Sequence, residues 1–244
     1  MKRFLFLALI ATTALAQTSK RGVAPNDSFA SNVQTIPVVA NTTGFGGAVF
    51  RSSVAILNPT PSDYSITASF FDATGTKKDA TITLAAGEQK VFGNFLGTVF
   101  ATTGGGAVVL SSPDPSNRFV VSSEVTAGNF STSVPALEFG GSSSPSFAPG
   151  INVNSTSRTN VGCFNQSDAA NTITATVLDS TGKLTIGTAA LVLPPHAWGQ
   201  TGITPIVTDG YVRFNPSDSA VCYAVVVDNT TNDGRFISAA EYRP

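Results

Sequence analysis

The stretch that decides the fold is Arg51-Ser-Ser-Val54-Ala-Ile56-Leu-Asn58, because the chain repeats it as Arg158-Thr-Asn-Val161-Gly-Cys163-Phe-Asn165. The copies are 107 residues apart, and the same offset aligns the chain without a gap as far as Gly75 and Gly182. Nine of the 25 aligned positions are identical. Similarity at a fixed offset is the signature of a duplicated structural unit. The sequence therefore predicts two tandem copies of one fold.

The repeat continues with small shifts in offset. After an insertion and a compensating deletion, an offset of 104 places residues 119–126 opposite residues 223–230. On this alignment Glu124 is the counterpart of Asp228, and both are interpreted as strand-end residues. The duplication therefore covers nearly the whole unit.

The unit boundaries follow from the repeat. We predict a first domain over residues 36–130 and a second over residues 131–244. We place the first strand of the second domain at Val134-Pro-Ala-Leu137, because this segment resembles Ile36-Pro-Val-Val39, which opens the first domain. Residues 17–35 are polar without periodicity, which predicts a flexible N-terminal arm. The link between the domains would be very short, and short linkers favour one relative orientation.

Each unit shows the pattern of β-strands. In the first, Ile66, Ala68 and Phe70 alternate with polar residues, which predicts a half-buried strand. Asp72-Ala-Thr-Gly75 and Asp179-Ser-Thr-Gly182 predict tight turns. Short strands spaced about 8–12 residues apart are typical of sandwiches and barrels. The predicted fold class is all-β: two tandem antiparallel β-sandwich domains, immunoglobulin-like, with a jelly roll as the alternative.

The N-terminus predicts export. Met1-Lys-Arg3 is basic and residues 4–16 are mostly apolar, which is typical of a signal peptide spanning 1–16 and cleaved near Ala16. A membrane anchor is disfavoured because a bilayer needs about 20 apolar residues. We expect a secreted protein, periplasmic or extracellular, with no membrane span in the mature chain.

The two cysteines, Cys163 and Cys222, are predicted to form a disulfide, with unlinked buried thiols as the alternative. The alignment leaves this open, because Cys163 aligns with inward-facing Ile56 whereas Cys222 aligns with Arg118. A bulge or a bond near a sheet edge would reconcile the two faces. The neighbours of Cys222 that we predict to face inward are Val221, Tyr223 and Val225.

Three motifs of the second unit resemble a known repeat signature. They are Arg158-Thr-Asn-Val-Gly-Cys-Phe-Asn165, Leu178-Asp-Ser-Thr-Gly182 and Val226-Val-Asp228-Asn-Thr230-Thr-Asn-Asp233. They resemble uncharacterised secreted bacterial proteins with tandem β-sandwich units. The resemblance covers both units, the second more faithfully. It implies a fold and export, and it implies no activity, cofactor or catalytic residue.

Candidate catalytic groups are few. His196 is the only histidine and follows two prolines in a predicted loop, so we expect it to be neither a catalytic base nor part of a zinc site. The equivalent acids Asp72 and Asp179 would lie in different domains, which disfavours a paired-carboxylate hydrolase. We predict no catalytic residue.

Two binding hypotheses concern the second domain. Asp228, Asn229, Asn232 and Asp233 form the densest run of oxygen ligands, a weak candidate for calcium, although we favour an Asx-rich turn as the explanation. Trp198, in a predicted loop, is the candidate for stacking on a sugar ring.

Low charge limits the functions further. Only 12% of residues are charged and the net charge is −1, which excludes a basic face for nucleic acid. We predict a secreted, non-catalytic structural or adhesive module of the cell exterior, with a cell-surface polysaccharide or protein as partner. The alternative is a carbohydrate-binding module that uses the second domain, and a secreted hydrolase ranks third.

Overall fold

The structure is a computed structural model, and it describes residues 30–44, 47–138 and 140–241. The predicted signal peptide and most of the predicted N-terminal arm lie outside these residues. In the described part the chain is all-β with antiparallel sheets, as predicted. None of the helices there is long and apolar enough to cross a membrane.

The described first half contains eight strands and one short helix. They are β1 (Val33–Thr43), β2 (Val49–Leu57), β3 (Tyr64–Phe71), β4 (Lys77–Leu84), β5 (Gln89–Phe92), α1 (Phe95–Val99), β6 (Gly104–Ser111), β7 (Val120–Ala127) and β8 (Phe130–Ser133). Helix α1 begins after Asn94, whose side chain accepts a hydrogen bond from the Gly97 amide. It has only five residues, too few to show a helical period in the sequence.

The strands of the first half form two connected layers. One has the order β4-β3-β6-β1 and the other β5-β2-β7-β8. Strand β1 joins them, because it pairs with β6 along most of its length and with β2 at residues 41–43. Its register against β6 shifts between Ile36 and Val39, next to Pro37, which has no amide hydrogen to donate.

The described second half contains nine strands. They are β9 (Ser146–Val153), β10 (Ser157–Asn165), β11 (Asn171–Leu178), β12 (Thr185–Leu193), β13 (Trp198–Gly202), β14 (Val207–Pro216), β15 (Ala220–Asp228), β16 (Gly234–Ser238) and β17 (Ala240–Glu241). The sheet orders are β13-β10-β15-β16 and β12-β11-β14-β9-β17. Matching β9 with β1 and continuing in order gives the same strand pairs as in the first half, except that among the described residues β9 does not pair with β10 as β1 pairs with β2.

Each half buries its own apolar cluster between its layers. Ile66, Ala68 and Phe70 of β3 lie in the first cluster, which confirms the predicted alternation of that strand. Ile151 and Phe214 are fully buried in the second. The two clusters are distinct, although Phe236 of the second half also packs against the first cluster.

The start of the second half differs from the sequence interpretation. Val134 and Ala136 are buried in the first cluster, and Leu137 pairs with Thr35. The interpretation of residues 134–137 as the opening strand of a second unit is therefore wrong, and the counterpart of β1 is β9. The resemblance covers only four residues, which is too few to show whether residues 134–137 are equivalent to the start of β1 or belong to the end of the first half. Strand β1 itself begins at Val33, ahead of the predicted start at residue 36.

The match between strands β7 and β15 also differs from the one that the sequence alignment predicts. Ile56 pairs with Val121 in the first half, and Cys163 pairs with Cys222 at the equivalent place in the second. The counterpart of Cys222 is therefore Val121, at an offset of 101 instead of 104. Because side chains alternate between faces, an error of three residues moves every side chain to the opposite face.

Two conclusions from the sequence alignment are therefore corrected. By strand pairing Val225 is the counterpart of Glu124, so the equivalence of Glu124 and Asp228 is wrong. The residues of β15 that face the second core are Ala220, Cys222 and Ala224. The predicted inward set Val221, Tyr223 and Val225 lies on the opposite face.

Candidate functional site

A disulfide joins Cys163 and Cys222 across neighbouring strands β10 and β15. Both residues are buried in the second apolar cluster, next to Val161 and Ala224. The predicted bond is thus confirmed, and it lies inside the sandwich where solvent reductants have little access. Its role is to fix the sheet that carries the site described next.

The opposite face of this sheet packs against the first half of the chain. Phe164 of β10 meets Phe71 of β3 with ring centroids 5.2 Å apart, and both pack on fully buried Ala107. The backbone amide of Trp198 donates a hydrogen bond to the carbonyl of Asp72 at 3.0 Å. These contacts form a junction in which apolar packing and a backbone hydrogen bond hold the two halves together.

Trp198 lies at this junction. The prediction that it occupies a loop is wrong, because it is the first residue of β13 and pairs with Phe164. Its indole N–H donates to the hydroxyl of Tyr223 at 3.1 Å, and that hydroxyl donates to Gln200 Oε1 at 2.9 Å. Burial raises the pKa of Tyr223 well above its usual range, so the phenol stays protonated and keeps its donor hydrogen.

The ring of Tyr223 is placed by a glycine. Tyr223 pairs directly with Gly162 on β10, and a Cβ at Gly162 would lie 2.4 Å from the phenol ring. A side chain larger than hydrogen at this position would displace the ring. Gly162 therefore lets a fully buried tyrosine lie across its own sheet, where it also stacks on Phe236 at 5.0 Å.

Replacing the tyrosine hydroxyl tests this network. We expect Tyr223→Phe to lower the free energy of unfolding by about 1 to 3 kcal/mol, because the indole N–H loses its acceptor in a buried site. The emission of Trp198, the only tryptophan of the chain, should shift at the same time. Chemical denaturation followed by fluorescence measures both effects. Tyr211→Phe is the matched control, since Tyr211 lies on β14 in the other sheet of the second half, and it should change neither.

A cavity of about 530 Å³ lies between the two halves beside the junction. Half-buried apolar side chains from both halves line it, and neutral polar groups reach its wall. The half-buried apolar residues of its lining include Val38, Phe50, Val125, Trp198, Val225 and Phe236. The polar ones are Asn160, Gln200, Thr132 and Arg158.

The candidate calcium residues are engaged with the protein itself. Asn229 and Asn232 accept hydrogen bonds from the Arg158 guanidinium at 3.1 and 2.7 Å. Asp228 accepts from the backbone amides of Thr231 and Thr230, which lower its pKa. This is the Asx-rich turn considered from the sequence. Calcium binding stays a prediction, and a guanidinium among the oxygens opposes it.

His196 contacts the first half of the chain instead of a nucleophile. Its Nε2 lies 2.8 Å from Oδ1 of the fully exposed Asp168, and its ring lies 5.9 Å from the Phe71 ring. The adjoining Pro195 carbonyl packs against Gly75, whose φ of +82° closes the Asp72 turn. His196 thus sits where the turn of one half meets a turn of the other.

The equivalent acids Asp72 and Asp179 close turns, as predicted. The Asp179 carboxylate accepts hydrogen bonds from the Thr181 hydroxyl and the Leu184 amide, which lower its pKa. Asp72 accepts from the amides of Thr74 and Thr76. Each carboxylate is therefore committed to its own turn. Across residues 30–44, 47–138 and 140–241, no three His, Cys, Asp or Glu side chains are grouped to hold a metal ion.

Comparisons with known proteins add no family to this description. No protein-family model matches the chain, and no curated protein matches its sequence.

Proposed function

We propose that the protein is an exported, non-catalytic structural or adhesive module of the cell exterior. The observation that carries this proposal is the burial of the central strands β10 and β15 on both faces of their sheet. One face covers a core closed by the disulfide, and the other packs on the first half through Phe164 and Trp198. Such a sheet couples two sandwich layers into a stiff body, which suits a spacer or scaffold.

Export is supported by the disulfide. Bonded cysteines persist in oxidising compartments and are rare in the cytosol. The basic and apolar N-terminal sequence supports the same conclusion. We therefore place the mature module in the periplasm or outside the cell.

The finer fold we propose is a tandem pair of immunoglobulin-like sandwiches. Strand β2 beside β5 and β3 beside β6 correspond to the neighbours B–E and C–F of an immunoglobulin domain. Strand β7 lies beside β2, whereas strand G of that domain lies beside F. The jelly roll stays the alternative for this reason.

A pulling experiment tests the proposed structural role. When the mature chain is stretched between its ends, the segment between the cysteines, whose sequence separation is 59, cannot extend while the bond is intact. At ~3.4 Å per residue, we expect total unfolding to release roughly 200 Å less chain than after reduction. Single-molecule force spectroscopy with and without reductant measures this difference. Extension at forces no higher than those that stretch an unfolded chain would contradict a structural role.

A further inference from the structure

The cavity between the halves has the dimensions of a small-molecule site. Its volume of about 530 Å³ falls within the ~300–1,000 Å³ typical of ligand pockets. Its walls come from both halves, with Phe50 and Val125 on one side and Trp198 and Val225 on the other. These side chains are half-buried although they face one another, so apolar surface remains uncovered inside the molecule.

The aromatic wall is held in a fixed orientation. The indole of Trp198 is anchored by its hydrogen bond to Tyr223, and its ring edge lies against Gly105, where a Cβ would come within 3.0 Å. Phe236 is anchored by stacking on the ring of Tyr223. A rigid aromatic surface binds a flat apolar face with little loss of side-chain entropy.

Neutral polar groups at the cavity have unused hydrogen-bonding capacity. Among the described residues, none hydrogen-bonds to the side-chain amide of Asn160, and Gln200 uses only its Oε1, as an acceptor from Tyr223. The one charged lining residue, Arg158, already donates to Asn229 and Asn232 and lies near Asp228. The free groups are therefore amides, which donate to and accept from hydroxyl groups.

We propose that this cavity binds a neutral saccharide unit, one or two sugar rings in size. The C–H face of a sugar ring packs on Trp198, and its hydroxyls hydrogen-bond to Asn160 and Gln200. The site goes beyond the structural role, since stiffness needs no ligand. It also differs from a site on the second half alone, because Phe50 and Val125 of the first half complete the wall.

Fluorescence of the full mature chain tests the site, because Trp198 is the only tryptophan and lies in the cavity wall. The probes are glucose, galactose, mannose, N-acetylglucosamine, cellobiose, lactose and maltose, each titrated to roughly ten times a millimolar Kd. We expect a saturable change in emission with at least one of them. Asn160→Ala should weaken that binding by about tenfold, since the hydrogen bonds from the Asn160 side chain to the sugar hydroxyls are lost.

Asn215→Ala is the matched control, because Asn215 lies on β14 in the other sheet of the second half, and it should bind as the unchanged protein does. Circular dichroism of both variants checks that they fold. Absence of any saturable response across the panel would overturn the proposal, and so would an unchanged affinity in folded Asn160→Ala. A parallel titration with 1-octanol identifies the remaining outcome: a response to octanol alone would show an apolar site and would also overturn it.

Discussion

Breaking the Cys163–Cys222 bond is expected to lower the free energy of unfolding by about 4 kcal/mol. The bond closes a loop of 59 residues, and the chain-entropy model assigns that loop a stabilisation of roughly 4 kcal/mol. The cysteines pair directly across β10 and β15, so the reduced protein retains the same strands and loses mainly the restraint on its unfolded state. For a chain of this size, the loss corresponds to a fall in Tm of roughly 8 to 16 °C.

Calorimetry of oxidised protein and of protein refolded under reductant measures this effect. Because the junction couples the halves, the whole transition should move, including the heat contributed by the first half. The same reductant added to a Cys163→Ala/Cys222→Ala variant is the control and should change nothing. If only part of the heat moves to lower temperature, the halves unfold separately and coupling through the junction is disproved.

The second large effect is expected at the junction, where Phe164→Ala removes the ring that packs on Phe71. Phe164 is 2% exposed, so truncation leaves a buried void and should cost roughly 3 to 5 kcal/mol. Since that packing links the two halves, the variant should unfold in two separated thermal transitions. Differential scanning calorimetry measures both the loss and the separation.

Phe214→Ala provides a matched control for position. Phe214 is also a fully buried phenylalanine, but it lies in the core of the second half, away from the junction. Its truncation should cost a similar free energy while leaving the coupling between the halves intact. If both variants unfold in one transition, or both in two, Phe164 has no special part in coupling the two halves.

The fold class was predictable because strand alternation and turn composition are local signals. Ile66, Ala68 and Phe70 face the first core as their spacing indicated, and Asp72 and Asp179 close the turns their sequence predicted. The pairs within each layer also recur in both halves, although only in the first half are the layers joined into one sheet. These features depend on neighbours within a strand or a turn, which a single sequence records.

The junction was not predictable from the same signals. Strand β15 reads Ala220-Val-Cys-Tyr-Ala-Val-Val-Val227, an almost unbroken apolar run, which indicates burial on both faces. Alignment with the first half suggested a single inward face instead, and an offset wrong by three residues selected the opposite one. The apolar run of β15 was the one sequence feature that indicated burial of both faces. Only tertiary packing reveals that Val225 and Asn160 line a cavity shared with the first half.

Trp198 shows how the sequence singled out one residue but assigned it to the wrong local structure. The sequence marked it as the aromatic most worth testing, yet placed it in a loop of the second unit. The structure places it in β13, opposite Phe164 and against Gly105 of the first half. Its neighbours across the junction are more than 50 residues away along the chain, so no local pattern could name them.

We infer that the two halves unfold as one cooperative body, because they pack on each other through the face of β10, β13 and β15. Calorimetry of the unmodified mature chain tests this cooperativity. We expect a single thermal transition whose calorimetric and van't Hoff enthalpies agree, the criterion for all-or-none unfolding. Two resolved transitions, or a calorimetric enthalpy about twice the van't Hoff value, would show that the halves unfold independently and would contradict the claim.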